Sequence, residues 1–368
     1  MSAPLNWHFP RAELAEKVMD RFKIGATTAL TLFAPRRMGK TEFVNKDLLP
    51  LAEEQGYITA YVNFWDRKHS PADSLIVGLT KATSSLKLTA KFKNMLSKVR
   101  SGSVTTPVGG ATLTLEASGE ADKLEVIQQL FDLLLKDDRQ LLLALDEVQH
   151  LATDKKFEPI VYALRGIIDP NRDKIRVLYT GSSRDGLRQL FARRNAALFS
   201  SSQQIDLPTF GRSYLEFTAD VFRQATGRTL DINECAKAFR EVKKVPYDFR
   251  GVIDKLITHG GSDIIGVAEL YLADNSQEDT YKLSWDKLKP IDKLVLQYVI
   301  MHGGVGIYTT EARSHIAEQL GLDALDTAPV QNAVNRLRRD GHIASIAQGQ
   351  YEMEDPYFVD WITTVAMQ

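Results

Sequence analysis

Residues 11–23, RAELAEKVMDRFK, place Leu14, Val18, Met19 and Phe22 at helical spacing with charges on the opposite face, which predicts an amphipathic helix. Directly after it comes ALTLF (29–33), an apolar run with no polar alternation, and a second helix is expected from Lys40. Runs of the same kind recur as YITAYVNFW (57–65), LLLALDE (141–147) and IRVLYTGSS (175–183). Short continuous runs of β-branched, aliphatic and aromatic residues are what strands buried on both faces look like. Helical patterns at 73–86, 91–99, 122–136 and 157–168 fall between them. That alternation predicts an α/β fold with a doubly wound parallel sheet. One piece, SGSVTTPVGGATLTLEAS (101–118), alternates polar and apolar positions around Gly109-Gly110 and reads as an inserted β-hairpin.

From 211 to about 258 the pattern is helical throughout, with RSYLEFTADVFRQATG, INECAKAFREVKKV and VPYDFRGVIDKLITHG as three helices of a small α-domain. The polar stretch SQEDTYKLSWDKL (276–288) reads as a linker. Beyond it, helices are expected at 290–302, 310–320 and 329–340, followed by two short strands in HIASIAQGQYEME. Three helices and a hairpin are the layout of a winged helix. The expected division is an α/β core at 1–207, a helical lid and linker at 208–280, and a winged-helix domain at 281–368.

A formal net charge of -1, from 46 basic and 47 acidic residues, removes any global attraction to nucleic acid or membrane. Locally, Lys81, Lys87, Lys91, Lys93, Lys98 and Arg100 run without an acidic residue until Glu116, either as a solvated helix face or as an anion-binding surface. A single cysteine, Cys235, excludes a disulfide framework and a cysteine zinc site. The N-terminal stretch lacks a basic-then-apolar leader, and no uncharged run suits a membrane span, so a cytoplasmic protein is expected. The seven histidines show no ligand spacing, and no G-x-S-x-G elbow is present.

The chemistry concentrates in FAPRRMGKT. A phosphate loop needs a strand, a tight turn whose N–H groups face an anion, a lysine for the β and γ phosphates and a hydroxyl for magnesium, all at a helix N-terminus. The stretch supplies each except one: Ala34 stands where the pattern has its first glycine, so that position must take a conformation an L-residue tolerates. A Gly-Lys-Thr triplet alone is weak, since roughly one chain in five of this size would carry a similar one by chance. Context strengthens it, because 106 residues beyond Lys40 a second apolar strand ends in Asp146-Glu147. A capping pair is the bland alternative for those carboxylates. In the nucleotide reading, the loop from Ala34, Pro35, Arg36, Arg37 and Met38 through Gly39, Lys40, Thr41 and Glu42 holds ATP or ADP. Lys40 neutralises phosphate charge, Thr41 ligates Mg2+, Asp146 holds the metal through its water shell, and Glu147 is the general base.

APRRMGKT, LLLALDEVQHL and VLYTGSSRDGLRQLF together resemble the three strand-end motifs of the AAA+ superfamily, and specifically its STAND-like "archaeal ATPase" branch, which also occurs in bacteria. The resemblance extends over nearly the whole chain, from HFPRAELAEKV near the adenine to the EDPYFVDWI stretch at the C-terminus. It implies Arg11 beside the base, Thr180 or Ser182 as the sensor at the end of its strand, and an arginine finger among Arg184, Arg193 and Arg194, each of which is equally readable as a solvated helix arginine. It implies a nucleotide contact at Val245-Pro246, where the family usually has Gly-Gly-x-Pro, and Arg250 as a candidate second sensor.

Two functions follow from this reading. The first is an ATPase of slow or partner-stimulated turnover, acting as a nucleotide switch whose lid and winged helix control a protein interaction or self-assembly. The second is a DNA-engaging ATPase using the 81–100 segment and the 329–340 helix, with Gln331, Asn332, Asn335, Arg336 and Arg339 as base readers. Residues 281–368 carry eight basic against eleven acidic residues, a net -3, which favours the protein partner over nucleic acid.

Overall fold

Leu141–Asp146 (β5) is an inner strand of a sheet in which every pairing is parallel. The computed structural model describes residues 5–25, 27–86, 106–108, 111–113, 120–191, 198 and 201–367. The sheet is completed by Ala29–Phe33 (β1), Ile58–Asn63 (β2), Ile175–Gly181 (β6) and Gln203–Asp206 (β7), in the order β2-β5-β6-β1-β7. The continuous apolar runs are explained by two cores. Leu141, Leu143 and Leu145 of β5 face one, with Val177 and Tyr179 of β6, while Leu142, Ala144 and Leu178 face the other. Both faces are covered, so neither parity of the strand can be polar.

Two features of this unit differ from expectation. β7 reads Gln-Gln-Ile-Asp and is largely exposed, so no apolar pattern announced it; its backbone pairs with β1, Leu30 opposite Gln203 and Phe33 opposite Asp206. The helix opened by Lys40 runs as Lys40–Phe43, a π-helical stretch Val44–Leu48 and Leu49–Glu54. Thr106–Val108 (β3) and Ala111–Leu113 (β4) pair antiparallel, as the hairpin pattern predicts.

The chain forms two compact units: His8–Ser182 with Gly186–Thr209, and Met1–Trp7, Ser183–Asp185 and Phe210–Gln368. The second contains the three expected helices as Arg212–Thr226, Ile232–Glu241 and Pro246–His259. A fourth, Ile264–Asp274, follows with Asp263 capping it. The expected linker is instead a helix, Glu278–Asp286. Its polar composition hides two aromatic residues one turn apart, Tyr281 and Trp285, which pack on the C-terminal core beside Phe358 and Trp361. Helices Pro290–Met301, Thr310–Gln319 and Thr327–Arg339 then precede Ile343–Ala347 (β8) and Gln350–Met353 (β9), the three-helix-and-hairpin order read from the sequence. Among the described residues no helix is long and apolar enough to cross a membrane.

Candidate functional site

The parallel register brings the C-terminal ends of the strands to one edge. Phe33 is opposite Gly181, and Asn63 is opposite Asp146, so the loop after β1, the Asp146-Glu147 pair and the end of β6 meet there. Ligands of open α/β sheets bind outside that edge.

The loop itself behaves as its sequence requires. Gly39 takes a left-handed φ of 88°, using the freedom only glycine has without cost. Ala34 is not among the positive-φ residues, and its N–H donates to the Gly181 carbonyl at 3.4 Å, so the missing first glycine costs no backbone strain. Arg37, with φ of 64°, carries the strain instead, which the motif did not reveal.

Lys40 is buried, and its Nζ donates to the Ala34 and Pro35 carbonyls at 2.7 and 2.9 Å, folding the loop around its own ammonium. Burial lowers the Lys40 ammonium below its ordinary range; Glu147 and Asp146 pull it up, and Arg36 pushes it down further. A phosphate arriving here meets a cation with little solvent to screen it.

Asp146 is fully buried and accepts four hydrogen bonds. Thr41 Oγ1 donates to Oδ2 at 2.6 Å, Tyr61 Oη donates to the same oxygen at 2.8 Å, the Glu147 N–H donates to Oδ1 at 3.0 Å, and Thr180 Oγ1 donates to Oδ1. Two hard oxygen donors, Thr41 Oγ1 and Asp146, thus lie side by side behind Lys40. Magnesium takes few protein oxygens and completes its shell with water and phosphate, so this pair fits it. Among the described residues no cluster of three histidine, cysteine or carboxylate side chains competes as a metal site.

Glu147 takes a left-handed φ of 54°. Its Oε2 accepts from Ser182 Oγ at 2.8 Å and from Gln149 Nε2, and Gln149 Nε2 also lies 3.2 Å from Ser182 Oγ. Thr180 and Ser182, offered as alternatives for one sensor, therefore divide the two acidic residues between them. Gly181 lets these side chains close in: a Cβ there would stand 2.6 Å from Gln149 Oε1 and 2.8 Å from Leu187 Cδ2, so Gln149 and Leu187 would have to shift.

Arg11 donates to the Pro208 carbonyl at 2.5 Å and reaches the Met38 carbonyl at 3.5 Å, so it joins the loop to the segment after β7. Glu42 is held by Lys46 at 2.6 Å and by His8 at 3.2 Å, facing those side chains rather than Lys40. Arg36 stacks over Trp65, with its guanidinium carbon 4.9 Å from the ring centroid, and Lys68 lies over the same ring. Arg193, Arg194 and the basic positions 87–100 lie outside the described residues. In the other unit the Arg250 guanidinium lies 3.4 Å from the Trp7 ring centroid, and Arg184 approaches Glu352 at 4.0 Å.

On the helix that the DNA-engaging alternative would use, two arginines are engaged with carboxylates. Arg336 bonds the buried Asp292 at 2.5 and 3.2 Å, and Arg338 bonds the buried Asp185 twice at 2.8 Å. Arg339 pairs with Asp340 on the exposed surface, and Gln331, Asn332 and Asn335 are exposed on the same helix.

Sequence reasoning missed Tyr61, Gln149 and Trp65. Tyr61 and Trp65 lay in YITAYVNFW, read only as a strand, and Gln149 lay inside LLLALDEVQHL without a role of its own.

No family model matches the chain, and no curated protein matches it in sequence. In three dimensions the chain is similar to the Walker-type ATPase of Pyrococcus abyssi, at 15% identity over 97% of this chain and 96% of that one, with a TM-score of 0.62. It is also similar to the ORC2 protein of Aeropyrum pernix. Its ADP form matches at 14% identity over 100% of this chain and 96% of that one, TM-score 0.58, and its ADPNP-ADP complexes match at 14% over 96% and 93%, TM-score 0.54. With the five-stranded parallel sheet, these likenesses define the fold as the α/β P-loop AAA+ fold.

Proposed function

We propose that the chain binds and hydrolyses ATP as a nucleotide switch of the STAND-like branch, with its helical lid (208–280) and winged helix (281–368) responding to the nucleotide to control a protein interaction or self-assembly. The observation that carries this reading is the joined network at the strand ends, in which Lys40, Thr41, Asp146, Glu147, Thr180 and Ser182 converge from three separate motifs.

Lys40 exchanges the loop carbonyls for the β and γ phosphates, and the N–H groups at the start of its helix hold the same oxygens. Thr41 and Asp146 would hold Mg2+, which when bound neutralises charge on the phosphates. Glu147 takes the proton of the attacking water. Ser182 and Gln149 both donate to its Oε2, which holds the carboxylate in one orientation at the strand ends. Arg193 or Arg194 supplies the finger that stabilises charge on the transferring phosphoryl group. A cytoplasmic location and a protein partner complete the reading.

ATP turnover measured against protein concentration, with and without duplex DNA and with Lys40→Ala as the blank, tests it. Slow turnover above the blank and indifferent to DNA supports the switch. Strong stimulation by DNA would move the reading to the DNA-engaging ATPase, and turnover equal to the blank would end both.

A further inference from the structure

We propose that Tyr61 is a positioning residue of the magnesium-nucleotide site, holding the Asp146 carboxylate when Thr41 turns to the metal; this rests on the nucleotide reading above. Tyr61 lies on β2, where Ile58, Ala60 and Val62 point into one core, so Tyr61 is delivered to the opposite face, which the phosphate-loop helix covers. Pairing with β5 sets it opposite Ala144, two residues before Asp146, and the length of the phenol spans that offset to reach Oδ2 at 2.8 Å.

The accounting of Asp146 makes the role specific. An ionised carboxylate offers about four lone-pair sites. Here all four are engaged, two on Oδ2 by Thr41 and Tyr61 and two on Oδ1 by Thr180 and the Glu147 N–H. A water shell around magnesium needs one of those sites. Thr41 is the donor that leaves, because its hydroxyl is the one at the start of the loop helix. That opens one site on Oδ2 and leaves Tyr61 as the only described side chain donating to that oxygen. Without it Oδ2 can rotate off the direction of the metal.

The experiment is the binding of a fluorescent ADP to the full chain, titrated with magnesium and compared with excess chelator, for wild type and Tyr61→Phe. The substitution keeps the ring and removes one hydroxyl. Wild type should bind more tightly with magnesium than without. Tyr61→Phe should need about 10-fold or more magnesium for the same tightening, the range seen when an outer partner of a metal ligand is lost, with unchanged affinity in chelator. A magnesium requirement equal to wild type would overturn the proposal, as would an equal loss of affinity in both conditions, which marks a purely structural role. A wild-type chain that binds ADP in neither condition would overturn the nucleotide reading itself, and this proposal with it.

Discussion

Arg338 closes a two-pronged ion pair on Asp185, Nε to Oδ2 and Nη2 to Oδ1 both at 2.8 Å, with the Ser345 N–H adding a third donor at 3.4 Å. Asp185 is almost fully buried, so little solvent reaches the carboxylate to take that arginine's place. Arg338→Ala would strand a buried anion, and removing one partner of such a pair costs about 3 kcal/mol. Urea unfolding should show a lower midpoint for Arg338→Ala, with much of the loss recovered when Asp185→Asn is added. An unchanged midpoint in the single variant would show that the pair contributes nothing to the C-terminal unit.

The same pairing bears on nucleic acid. Arg336 is committed to Asp292 as Arg338 is to Asp185, so two of the three arginines on helix Thr327–Arg339 already have buried carboxylates as partners. Phosphate-driven affinity requires cations that can release counterions from DNA. Titration with labelled duplex at low salt should therefore give weak binding, and Arg339→Ala should change it little. Tight binding with a steep salt slope that Arg339→Ala or Gln331→Ala reduces would assign the helix to DNA.

Among the described residues Lys40 has no anion partner at hydrogen-bond distance and donates to the carbonyls of its own loop. Lys40→Ala should weaken nucleotide binding by at least about 100-fold, roughly 2.7 kcal/mol, measured by the same fluorescent ADP assay. Because the lysine also closes the loop on itself, circular dichroism of the variant should accompany the titration. Wild-type affinity in a folded variant would remove the phosphate loop from the mechanism.

Glu147 and Asp146 separate the two parts of the chemistry. Glu147 touches Ser182 and Gln149 but not Thr41, whereas Asp146 touches Thr41 directly. Glu147→Gln should therefore bind nucleotide as wild type does while turnover falls by about 100-fold or more, the usual contribution of a general base. Asp146→Asn should lose the response to magnesium. Normal turnover in the glutamine variant would assign the base elsewhere.

Much of this site was legible because its parts are local. A strand, a Gly-Lys-Thr helix start and an acidic strand end are each set by a few consecutive residues, and β1, β5 and β6 formed where their aliphatic runs placed them. What was not legible depends on pairing between distant segments. Which face of β2 receives Tyr61 follows from the alternation, but that its hydroxyl meets Asp146 follows only from the β2-β5 register. β7 is a strand because β1 offers it backbone partners, not because Gln-Gln-Ile-Asp favours one. Helix Glu278–Asp286 escaped notice for a similar reason: Tyr281 and Trp285 acquire their meaning from Phe358 and Trp361 at the far end of the chain.

His342 links the C-terminal unit to pH. It precedes β8, its ring tilts against Phe358 at a centroid distance of 5.6 Å, and its burial lowers its pKa below the ordinary 6.5, although Asp340 and Asp292 oppose the shift. A base whose folded-state value is lowered leaves the unfolded chain holding the extra proton between the two values. Stability then rises with pH across that window and levels off above about 6.5, and the contribution of neutral His342 is lost as the solution is acidified. Urea midpoints measured at about pH 7.5 and about pH 5.5 should fall further for wild type than for His342→Gln, which cannot take up the proton. The difference between the two chains isolates this residue from the carboxylates that titrate in the same range. An equal fall in both would show that the ring keeps its proton equilibrium on folding and that acid acts on the unit elsewhere.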